Sequence, residues 1–91
     1  MPKRSKGVLE ASIEHERSIA RAIGDRMRER RIQLELSQGT VRAKLKTAGI
    51  HISRSQYSRI EQGESLLNAA EIIALTHTLD MSCQWLLMGV R

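Results

Sequence analysis

Between Ser53 and Glu64 the chain reads SRSQYSRIEQGE. At 3.6 residues per turn, Ser55, Ser58, Arg59 and Gln62 fall on one helical stripe, spaced i, i+3, i+4 and i+7. Every member can donate a hydrogen bond and none carries negative charge. Tyr57 and Ile60 fall on the opposite side, where a core would take them. Ser53 suits the N-cap of such a helix, and Gly63 the left-handed residue that stops it. The stripe is equipped to meet an acceptor-rich, anionic surface, with base edges and phosphates as the obvious partners. Arg54 and Arg59 add the planar fork that matches guanine O6 and N7. A solvated surface helix with no ligand would show much the same stripe, so its setting has to separate the two.

That setting is helical throughout. Ala20, Ile23, Met27 and Leu34 recur at helical spacing, and the periodicity predicts a first helix from about Ser12 to near Glu35, with RMRERR supplying exposed charge. A second helix restarts at Ser37-Gln38 with Ser37 as N-cap, Val41 and Leu45 as apolar contacts, and Gly49 as a stop. Ile50 and Ile52 lead into helix 53–62. A fourth helix begins around Asn68 and places Ile72, Leu75, Thr76 and Leu79 at i, i+3, i+4 and i+7. Ser82 caps a last short helix, CQWLLM, stopped by Gly89. No run alternates apolar and polar residues over a strand's length. The fold class is all-α, with five helices and no internal repeat.

Composition narrows the function. The chain has 91 residues, a formal charge of +5 and almost no aromatics, only Tyr57 and Trp85. Residues 1–60 hold 14 of the 15 Lys and Arg against 6 of the 10 Asp and Glu, a balance of +8, while residues 61–91 balance at −3. Such segregation fits a polyanion-binding face better than a uniformly solvated exterior. The lone Cys83 excludes an internal disulfide, fits a reducing cytoplasm, and is expected to be a buried, inert thiol. No segment has the apolar length of a membrane span or signal-peptide core. His15, His51 and His77 share no metal-ligand spacing, so neither metal nor cofactor is expected. No serine or cysteine has a base in a recognisable arrangement and no glycine-rich phosphate loop is present, so catalysis is not expected. Trp85, Leu86 and Leu87 are expected in the core. Met81, Met88 and Val90 exceed what one face of a short helix buries, which points to a homodimer contact at the C-terminal helix.

Helices two and three, with their tight connection, have the form of a helix-turn-helix, whose second helix enters the major groove. Three stretches in this order, RMRERRIQLELSQ (26–38), SRSQYSRIEQGE (53–64) and LDMSCQWLLMG (79–89), resemble the Xre/Cro-type DNA-binding domain of phage repressors. The resemblance covers about three quarters of the chain. It implies a five-helix, lambda-repressor-like domain that binds palindromic operator DNA as a dimer and regulates transcription, most simply as a repressor in the cytoplasm on nucleoid DNA. By position it implies base reading by Arg54, Ser55, Ser58 and Arg59, and backbone contacts from Gln38 and Gln62. It also implies a structural salt bridge between Arg31 and Glu61. Residues 1–18 then form a basic N-terminal arm and extension, with Lys3, Arg4 and Lys6 as further phosphate contacts, and residues 19–91 the DNA-binding domain.

Two departures from the family stand out. KTAGIHI, between Leu45 and Ser53, is about five residues longer than the family's short turn. Either helix two runs on toward Gly49 or the loop is longer. Arg42 stands where the family has a small residue, and either snorkels out of the junction or contacts a phosphate; the second is preferred. The alternative function for such a domain is an antitoxin that binds a toxin protein and autoregulates its operon.

Overall fold

In a computed structural model, which describes residues 6–91, the chain forms five helices: α1 (Lys6–Gln33), α2 (Gln38–Thr47), α3 (Arg54–Glu61), α4 (Ala69–Thr78) and α5 (Cys83–Met88). There is no strand among the described residues. No described helix is long and apolar enough to cross a membrane. α1 starts at Lys6, several residues before the point where periodicity announces it. Its upstream apolar residues Val8, Leu9 and Ile13 stay exposed, so they leave no sharp core-facing signature.

Local chemistry sets the other ends. The hydroxyls of Ser37, Ser53 and Ser82 accept from the N–H groups of Thr40, Gln56 and Trp85 at 3.0, 3.2 and 2.9 Å. Each satisfies one of the orphan donors that a helix start leaves. At α4, Asn68 and Glu71 exchange side-chain-to-backbone hydrogen bonds, both 2.8 Å, as a capping box. α1 stops at Gln33, two residues short of Glu35, which takes the left-handed conformation with φ of 56°.

The core collects Met27 from α1, Val41 and Leu45 from α2, Tyr57 and Ile60 from α3, Leu75 from α4 and Leu86 from α5, with Leu79 where α4 ends. Ile52 enters it from the α2–α3 connection. Each fully buried side chain of this size contributes about 1.5–3 kcal/mol of transfer free energy. Trp85 and Leu87 are only half-buried at the margin, contrary to expectation, because a six-residue helix turns one position, Leu86, fully inward. Cys83 is exposed, not buried. It opens α5 on its outer turn, and its apolar sequence neighbours, not its own contacts, made it look internal.

Gly24 is the point on which α3 rests. A Cβ there would collide with the carbonyl oxygen of Ile60 and lie 2.7 Å from that of Glu61. Both are backbone atoms, which cannot rotate away. Alanine normally improves a helix interior by about 1 kcal/mol over glycine. Here the clash wins. We expect Gly24→Ala to destabilise by about 1–3 kcal/mol, the usual cost of overpacking. Urea unfolding checks this, and a gain in stability would mean that α1 and α3 separate freely.

Arginines on α1 hold the opposite end. Nη1 of Arg26 donates to the carbonyl of Leu86 at 2.9 Å. Arg30 donates from Nε to the carbonyl of Leu79 at 2.8 Å and from Nη2 to that of Asp80 at 3.1 Å. These are the carbonyls left open where α5 and α4 end, and positive charge at a helix C-terminus is favoured. RMRERR is therefore not simply exposed charge: Arg26, Arg30 and Arg31 are partly buried and engaged, while Arg28 and Glu29 face solvent.

Candidate nucleic-acid interface

The outward side of α3 is assembled by what lies beneath it. Tyr57 and Ile60 bury completely, and this turns Arg54, Ser55 and Arg59 to solvent, with Ser58 half-buried beside them. Ser53 caps the helix, and Gly63 follows it with φ of 77°. A Cβ on Gly63 would meet the Cα of Arg21 at 2.6 Å, so the stop residue is also a close contact with α1. Gln62 is exposed at the C-cap, and its amide donates to the Ser58 hydroxyl at 3.2 Å. Gln56 leaves the outward face: its amide donates to Ser65 at 3.1 Å and ties α3 to the segment that follows.

Glu61 anchors the helix from behind. It is the one buried charged side chain among the described residues. Arg31 reaches it with two parallel bonds, Nε to Oε2 at 2.8 Å and Nη2 to Oε1 at 2.9 Å. This fork-on-fork geometry is the strongest form of a carboxylate–guanidinium pair. The third donor of Arg31, Nη1, goes to the carbonyl of Leu36 at 2.9 Å. One side chain on α1 thereby positions α3 and the turn into α2 together. Burial pushes the Glu61 carboxyl up, but hydrogen bonds from Arg31 and its positive charge outweigh this and hold it below the ordinary carboxylate value. Tyr57 is shifted up, first by burial and then by the neighbouring Glu61 charge. Among the described residues its buried hydroxyl has no hydrogen-bond partner of good geometry.

Gln38 is the first residue of α2, and its amide donates to Oε1 of Glu61 at 3.2 Å. The amino end of α2 and the carboxyl end of α3 are thus joined through one carboxylate. Arg42 sits on the other flank, half-buried, with Nε donating to the carbonyl of Ile52 at 3.0 Å. Both alternatives for the long connection are realised in part: α2 continues to Thr47, Gly49 turns the chain with φ of 91°, and a connection longer than a short turn remains. Residues 48–53 then carry it into α3. Lys3 and Arg4 lie outside the described residues, and only the backbone of Lys6, at the start of α1, is described.

The structure therefore brings Arg54, Ser55, Ser58, Arg59 and Gln62 onto one face, with Gln38 and Arg42 at its two ends. It also adds residues that sequence reasoning passed over. Lys46 and His51 share with Gly39, Arg42, Ala43 and Ile52 a recess of about 190 Å³ beside α2. The spacing of Arg42 and Lys46, one turn apart, was the available signal. His51 gave none, because only the path of the connection brings it there.

Residues 22–83, from the second half of α1 to the first residue of α5, match a family described as a helix-turn-helix domain. No curated protein and no solved structure matches the chain.

Proposed function

The chain belongs to the helix-turn-helix domain family, and on that premise we propose that it is a sequence-specific, double-stranded DNA-binding transcriptional regulator of the Xre/Cro type. In this reading a dimer occupies a palindromic operator and represses by blocking the promoter. α3 is the recognition helix: Arg54, Ser55, Ser58 and Arg59 read base edges, while Gln38, Arg42 and Gln62 hold the backbone. The basic extension, residues 1–18, adds phosphate contacts through Lys3, Arg4 and Lys6, and residues 19–91 form the DNA-binding domain. Such a protein works in the cytoplasm, on nucleoid DNA.

One observation carries the reading. Every outward side chain of α3 can donate a hydrogen bond, two of them as guanidinium groups, and no carboxylate breaks the face. Its capped amino end presents free N–H groups and the positive end of the helix dipole, which favour an approaching phosphate. The dimer is supported by apolar surface at the C-terminus, where Met88 is 69% and Val90 48% exposed. Leaving both in water is unfavourable, and a second copy is the natural cover.

Selection of bound duplexes from a random DNA pool tests the proposal. The expected product is a twofold-symmetric site with half-sites about 34–36 Å apart, one helical turn. Enrichment of no sequence would reject base reading, and enrichment of a single unpaired half-site would reject the dimer.

A further inference from the structure

One side of α2 carries Gly39, Arg42, Ala43 and Lys46, spaced i, i+3, i+4 and i+7. The two small residues lower the surface, and the two cations stand beside it. Residues 48–53 fold back along this side. The carbonyl of buried Ile52 receives Nε of Arg42 at 3.0 Å, and half-buried Ile50 packs against the core. His51, between two anchored isoleucines, is exposed and closes the recess from the third direction. The lining holds two permanent cations and an imidazole, and no carboxylate.

Two further features set the recess apart from a merely basic surface. Arg42 is held at Nε, so its guanidinium is oriented before any ligand arrives, and its two terminal nitrogens have no hydrogen-bond partner among the described residues. Ser53 and Arg54 follow His51 almost at once, so the recess adjoins the amino end of α3, the end that faces DNA in the proposed docking. A turn of three or four residues would leave nothing at the place of His51. The extra length of this connection is what builds the third wall.

We propose that the recess of Arg42, Lys46 and His51 seats a backbone phosphate of the DNA strand bordering the groove that α3 enters. This rests on the DNA-binding reading above. Lys46 and His51 thereby join the interface as contacts that set affinity and register without reading sequence.

The test uses the full chain with Lys46→Gln and His51→Gln, singly and together. Lys44→Gln serves as control, since Lys44 is exposed on the other side of α2. Fluorescence anisotropy measures binding to the selected duplex and to a random one, from about 50 to 200 mM salt. The double variant is expected to bind both duplexes roughly three- to tenfold more weakly, with a salt slope shallower by about 1. Helical circular dichroism and melting should not change. A double variant no weaker than Lys44→Gln, in a protein that still distinguishes the two duplexes, overturns the phosphate seat and leaves the DNA-binding reading standing. A parent chain that binds neither duplex overturns both.

Discussion

Glu61→Ala is expected to lower the stability of the domain by about 3–5 kcal/mol, the cost of leaving one half of a buried ion pair behind. For a chain of this size that is a fall in Tm of more than about 10 °C. The magnitude follows from burial: the side chains of Arg31 and Glu61 are 13% and 2% exposed, so water cannot replace the lost partner. The Gln38 amide loses its acceptor at the same time. Replacing both members of the pair, Arg31→Met with Glu61→Leu, is expected to recover much of the loss, because no uncompensated charge then remains. Thermal unfolding of the single and double variants checks this; a loss below about 1 kcal/mol for Glu61→Ala would mean that the pair behaves as a surface salt bridge.

The same pair makes stability depend on pH, with a definite sign. The folded carboxyl of Glu61 titrates below its unfolded value, so its contribution is complete above the unfolded pKa of about 4.3 and is lost as pH falls through the lower folded value. Tyr57 acts at the other end. Its folded pKa is raised, so above about pH 10, where the unfolded tyrosine ionises, stability falls. Urea midpoints across pH should show both limbs, and Glu61→Gln should flatten the acid one.

Arg54→Ala combined with Arg59→Ala is expected to weaken binding to the selected operator by roughly thirtyfold or more. Each bidentate guanidinium–guanine pair is worth about 1–3 kcal/mol of discrimination, and 1.4 kcal/mol is about tenfold. Both side chains are exposed and belong to no internal network among the described residues, so the fold should survive and helical circular dichroism should not change. On random DNA the loss should be smaller, limited to two positive charges. Equal losses on both duplexes would move these arginines from base reading to backbone positioning.

Much of this could be read along the chain. Ser37, Ser53, Asn68 and Ser82 cap the helices that their positions predict, because capping is settled within about four residues. The inward set Met27, Val41, Leu45, Tyr57, Ile60 and Leu75 follows from helical periodicity for the same reason. Cys83 misled because apolar sequence neighbours are not spatial neighbours at the edge of a six-residue helix. Gly24 gave no warning, since a glycine within a helix looks the same whether or not another helix crosses it.

What the amino-acid sequence determined by itself is the helices, their ends, and the uncharged-or-positive outer side of α3, since each depends on spacing and local hydrogen bonding. Which cations stay open to solvent was decided only by tertiary structure. Arg26 and Arg30 bind carbonyls sixty and forty-nine residues away, and Arg31 binds Glu61 thirty residues away. Arg42 is fixed to Ile52, and the path of the α2–α3 connection puts His51 on the same recess as Lys46. Charge is written one residue at a time. Its availability depends on which distant backbone or carboxylate folds against it, and that is set by the packing of the five helices.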